Sequence, residues 1–181
     1  MNKIIIFFAL LTLSSCTKVD ESYKPPNYIK YLKEVEYETI QELKKKGLYI
    51  SGIGSASMDC ISLVDLSFCY EELADISKSR ELIVLAVESF LKKINSKEKI
   101  RPDLCNYPFN VNNLEMDITL TKNKKVNKRT NSQKVTFVTL KKGEIIYEYT
   151  NFDEMIFDVI KSETYLEAKE KVEKEFQKIT K

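Results

Sequence analysis

Leu114-Glu115-Met116-Asp117-Ile118-Thr119-Leu120-Thr121 alternates apolar and polar side chains without a break. Successive side chains of a strand point to opposite faces, so this stretch predicts a β-strand with Leu114, Met116, Ile118 and Leu120 in a core. Glu115, Asp117, Thr119 and Thr121 then face water. A sheet with one wet face is the usual arrangement of antiparallel strands, and its dry face needs helices or a second sheet to cover it.

Downstream, Val135 to Leu140 and Glu144 to Tyr149 read as two more strands joined tightly at Lys142 and Gly143, giving a three-stranded meander. Upstream, Leu82, Ile83, Leu85, Ala86, Val87, Phe90, Leu91 and Ile94 make an apolar surface too wide for an exposed helix. That segment is expected to be the central core helix, with Asp75 or Ser77 as its cap. Leu48 to Ala56 and Cys60 to Tyr70 read as a hairpin. In its first strand Leu48, Ile50, Gly52, Gly54 and Ala56 share a face on which a helix can pack close. In its second, Ile61 and Leu63 oppose Val64, Leu66, Phe68 and Tyr70 in parity, which requires either two covered faces or a bulge. A helix is expected from Ile29 to Lys46, ended by Gly47. Another is expected from Ser162 to Lys181, with Tyr165, Val172, Phe176 and Ile179 inward and Glu167–Lys171 and Glu170–Lys174 as surface pairs. The expectation is a single α+β domain over residues 29–181, with about five antiparallel strands (hairpin plus meander) and about three helices. A chain of this length buries one core without needing a second domain.

The first sixteen residues carry a different signal. Asn2 and Lys3 precede Ile4 to Leu13, an apolar run interrupted only by Thr12. The run is too short to span a bilayer and has the length of a signal-peptide core, so residues 1–15 are expected to be removed on export. Leu13-Ser14-Ser15-Cys16 resembles the lipobox of bacterial lipoproteins. That resemblance implies cleavage between Ser15 and Cys16, a diacylglyceryl thioether on Cys16 and an acylated amine, palmitate being a typical chain. Each buried CH₂ contributes about 0.8 kcal/mol, and two chains suffice for stable anchoring. The alternative is an ordinary secretory signal with an incidental cysteine. Residues 16–28 are polar, contain Pro25 and Pro26, and read as a tether that can span roughly 40 Å. Thr17, where retained lipoproteins carry Asp, implies an outer-membrane protein facing the periplasm if the host has two membranes.

Charge and missing residue types exclude several functions. The chain has 29 basic and 27 acidic residues, and the segment before Cys16 holds one of the former and none of the latter, so the mature protein is nearly neutral. Nucleic acid is therefore not an expected partner. There is no histidine, which removes Ser-His and Cys-His nucleophile systems and the usual zinc sites, and no CxxC spacing replaces them. No metal, cofactor or catalytic set is expected. Gly52-Ile53-Gly54 lacks the third glycine of a dinucleotide loop, Ser57 standing in its place. Adjacent carboxylates such as Glu71 with Glu72 and Asp153 with Glu154 read as surface. With Cys16 lipidated, Cys60, Cys69 and Cys105 remain. At opposite ends of one strand Cys60 and Cys69 lie about 30 Å apart, so any bridge joins Cys105 to one or the other. The plainer expectation is buried thiols acting as small apolar residues.

Two stretches remain as candidate sites. Ile100-Arg101-Pro102-Asp103-Leu104-Cys105-Asn106-Tyr107-Pro108-Phe109 follows the core helix and precedes the alternating strand. Over residues 80 to 120 this order, with its Asn-Tyr-Pro-Phe ending, resembles a family of small uncharacterised bacterial lipoproteins and secreted proteins. The family has histidine where this chain has Cys105, and the resemblance implies no activity. Arg101, Cys105, Asn106, Tyr107 and Phe109 are the candidate contacts for a ligand or partner, against a structural reading in which Tyr107 and Phe109 plug the end of the core. Lys122, Lys124, Lys125, Lys128, Arg129 and Lys134 form a basic stretch that could meet anionic head groups at about 1 kcal/mol per charge, or be merely solvated. The reading is a lipid-anchored envelope protein of binding or structural character, its partner the membrane through Cys16 and an envelope protein or anionic polymer. The alternatives are an envelope enzyme using carboxylates or a free cysteine such as Cys105, and a basic-loop membrane-binding module.

Overall fold

The computed structural model describes residues 26–120, 135–151 and 156–179. The expected signal peptide, Cys16, most of the tether, Lys122 to Lys134, and Asp153 with Glu154 lie outside these ranges. Six strands, β1 (Leu48–Ser57), β2 (Ile61–Tyr70), β3 (Leu114–Leu120), β4 (Phe137–Lys141), β5 (Glu144–Asn151) and β6 (Ile156–Thr164), form one sheet in chain order. Three α-helices, α1 (Asn27–Lys44), α2 (Ile76–Ser96) and α3 (Tyr165–Ile179), accompany it.

The class is α+β as expected, but the sheet is mixed. β2 and β3 run parallel, Val64 beside Leu114 through Tyr70 beside Leu120, while every other pair is antiparallel. The cause is α2, which carries the chain from the end of β2 back to the start of β3, and a helical crossover of that kind makes parallel neighbours. The meander has four strands rather than three. β6 escaped the sequence reading because Asp158 and Lys161 break its apolar run and Ser162-Glu163-Thr164 resembles a helix start. These three residues instead pair with Ile146 to Glu144. The helix begins one residue later, where Thr164 and Glu167 close a capping box: Glu167 Oε2 accepts from the Thr164 amide at 2.9 Å and Thr164 Oγ1 accepts from the Glu167 amide at 3.3 Å. The expected Glu167–Lys171 pair is thereby replaced, and Lys171 turns to Glu163 at 2.5 Å.

Alternation in β3 is realised residue by residue, with Leu114, Met116, Ile118 and Leu120 fully buried. The core helix is likewise as expected: Asp75 accepts from the Lys78 amide at 2.8 Å, and Leu82, Ile83, Ala86, Val87, Phe90 and Ile94 are buried. Two local expectations fail. A bulge at Ser51 shifts the register of β1, so Gly52 and Gly54 lie opposite Ser67 and Asp65 on the face away from the helices, and no helix packs on them. Phe176 is exposed, because among the α3 residues whose burial is described only Tyr165, Ala168 and Val172 reach the core. The parity conflict in β2 is settled by a second irregularity: Ala56 pairs with Leu63 and Ser57 with Ile61, so Ser62 is the extra residue and Ile61 is buried beside Leu104.

The register sorts the loops into two ends. At one end lie the β1–β2 turn, the segment 97–113 before β3, the Lys142–Gly143 turn, and the starts of α1 and α3. Lys97 pairs with Glu34 at 2.8 Å, Lys99 sits 5.8 Å from the Tyr31 ring, and Tyr165 donates to the Gly143 carbonyl at 2.9 Å. At the other end lie the α1–β1 and β2–α2 turns, Leu120 and Val135, and the last turns of α3, where Ser77 donates to Glu175 at 3.1 Å.

Candidate functional site

The loop after α2 is built from its own residues upward. Glu98–Asp103 forms a 3-10 segment that accommodates Pro102, and Leu104 then bridges to Ile61 with Cys105 donating to the Ile61 carbonyl at 3.0 Å. This places Cys105 beside Cys60, and the two form a disulfide with Cα atoms 5.1 Å apart. The bridge corrects the expectation of buried thiols: Cys105 is exposed and bonded, and therefore cannot act as a free nucleophile in this form. Cys69 is the free thiol among the described residues. Tyr107-Pro108 is a cis peptide.

Asn95, near the end of α2, clamps the loop from below. Its side-chain amide donates to the Phe109 carbonyl at 2.8 Å and accepts from the Phe109 amide at 2.8 Å. Phe109, at 2% exposure, packs edge-on against Phe90 with centroids 6.4 Å apart. Asn110 and Asn113 then close a capping box on a 3-10 turn that leads into β3. The structural role expected for the loop thus belongs to Phe109 alone. Tyr107, expected to share it, is 52% exposed and lies across the Arg101 guanidinium at 5.0 Å. Arg101 donates to the Asn95 carbonyl at 3.4 Å, while its Nε is buried with no hydrogen-bond partner. Arg101, Asn106 and Tyr107 are therefore brought together at a stapled, outward-facing surface, and Phe109 is its anchor. Met58, at 95% exposure on the β1–β2 turn two residues from Cys60, belongs to the same end; the sequence reading missed it because nothing linked that turn to the loop.

Two further clusters carry charge. On the helix-free face of the sheet, Asp65, Glu115 and Asp117 share adjacent strands. Burial pushes the Asp65 carboxyl above its ordinary range, as do its neighbours Asp117 and Glu115, and burial pushes Asp117 the same way. Lys141 pairs with Glu115 at 3.1 Å. Among the described residues no group of three or more side chains could hold a metal ion. Under the helices, Glu163 accepts from Arg80 at 2.6 Å and Tyr147 at 2.7 Å, with Lys161 at 3.4 Å. Burial alone would push its carboxyl up, but the bonds from Arg80, Lys171 and Tyr147 prevail and hold it at about 2. Glu71 and Glu72 are exposed, as expected. A groove of about 590 Å³ runs along α1, lined by Ile29, Lys30, Lys33 and Tyr37 among others, and converges on no reactive set.

No protein-family model, curated protein or solved structure matches this chain.

Proposed function

We propose that this protein is a lipid-anchored component of the bacterial cell envelope with a binding or structural role. Cys16 holds it in the membrane, the outer membrane facing the periplasm where there are two, and the exposed surface of the domain meets its partner, an envelope protein or anionic polymer. The observation that carries the reading is Leu13-Ser14-Ser15-Cys16 behind a short apolar run with Lys3 at its head. The Cys60–Cys105 disulfide supports it, since such bonds persist in oxidising compartments outside the cytoplasm. The bonded state of Cys105 weighs against an enzyme built on that thiol.

Metabolic labelling with a palmitate analogue tests the anchor. The native chain is expected to take up label and sediment with membranes, and Cys16→Ser to do neither. A Cys16→Ser chain still labelled and membrane-bound would overturn the reading.

A further inference from the structure

The described domain begins at Pro26, at the same end as the β1–β2 turn, the stapled loop and the Lys142–Gly143 turn. That end carries Met58 at 95%, Leu166 at 70% and Tyr107 at 52% exposure. Met58 and Tyr107 stand two residues to either side of the disulfide, on Cys60 and Cys105, while Leu166 opens α3 beyond the other side of the sheet, next to Gly143. Lys30, Lys99 and Lys142, all exposed, belong to the same end. Asp59, Glu98, Glu144 and Glu167, also exposed there, outnumber these lysines, so apolar insertion and not net charge has to supply the attraction.

We propose that this end docks flat on a glycerophospholipid surface, with Met58, Tyr107 and Leu166 in the interfacial layer and the strands standing off the membrane. The inference rests on the lipid anchor proposed above, because the tether joins the domain at this end. An apolar side chain with a polar neighbour, or an aromatic ring with a hydroxyl, suits the head-group boundary, where one part is dry and the other wet. The cations then lie at the level of the phosphates. The disulfide and the Asn95 clamp hold the backbone that carries Met58 and Tyr107, so only the side chains need ordering on contact.

The chain has no tryptophan, so Met58→Trp creates a single tryptophan reporter, excited selectively over the tyrosines, at an exposed site, and Phe176→Trp creates a control at the opposite end. The full lipidated chain is reconstituted in vesicles of phosphatidylcholine with phosphatidylglycerol. Met58→Trp is expected to emit to the blue of Phe176→Trp and to be quenched by lipids brominated high on the acyl chain, with Phe176→Trp unaffected. A chain that co-floats with the vesicles while Met58→Trp stays in water overturns the docking and leaves the anchor standing. A chain that does not co-float overturns the anchor and the docking with it. Shielding of Met58→Trp in native membranes but not in pure lipid assigns this end to a protein partner instead, and overturns the proposal.

Discussion

Glu163 has 7% of its surface exposed and bonds to Arg80, Tyr147 and Lys171, which come from β5 and two helices. Its folded pKa of about 2 lies below the ordinary 4.5, so its ionisation contributes stability above that ordinary value and loses it as pH falls toward about 2. Glu163→Gln leaves Arg80, itself buried, without its bonded carboxylate and is expected to cost about 3 kcal/mol near neutral pH. The variant should also show a shallower fall in stability between pH 5 and pH 2 than the native chain. Urea unfolding across that range checks both, and equal midpoints for the two proteins at pH 7 would refute the assignment. None of this was legible in the sequence. Arg80 opens an amphipathic helix and Glu163 sits between Lys161 and Tyr165, positions that read as surface, and the pair is separated by 83 residues. The acidic group Asp65, Glu115 and Asp117 was hidden for the same reason, since strand register and not spacing along the chain brings it together.

At the scale of elements, α2 and the loop behind it form one unit. The disulfide joins residues 45 apart and encloses β2, α2 and the first part of the loop that leads to β3. Closing a loop of that length contributes about 2 to 5 kcal/mol, so the Cys60→Ala, Cys105→Ala double variant is expected to fall in stability by that amount, measured as a shift of the urea midpoint. An unchanged midpoint would show the Asn95 clamp and the buried Phe109 to be sufficient alone. The prolines marked this loop as unusual in sequence, and Phe109 as its plug was within reach of hydrophobicity. The partner of Cys105 was not, because choosing Cys60 over Cys69 needs the Leu104–Ile61 bridge. Strong periodicity made β3 and α2 readable. β6 was lost because a helix-forming run, Tyr165 to Ile179, follows it without a turn residue between them.

For the whole molecule, the strands lie in the sheet in the order in which they occur in the chain, so every pairing joins consecutive strands. Their existence could be read one by one, and so could a single core. The parallel pair follows from the strand–helix–strand order β2–α2–β3, and the sorting of loops into two ends depends on it. That one crossover also bears on how the chain folds. The four antiparallel pairings, each between consecutive strands, can form early at low loop-closure cost, while β2 and β3 must find each other across the residues of α2 and the stapled loop. Once oxidised, Cys60 and Cys105 bring those two strand starts together before any pairing has formed. Refolding from urea with the disulfide intact is therefore expected to outpace refolding of the reduced chain, as followed by stopped-flow fluorescence of the tyrosines. Equal rates would place β2–β3 pairing after the rate-limiting step. A compartment that oxidises this pair would then act as part of the folding machinery as well as a place of work.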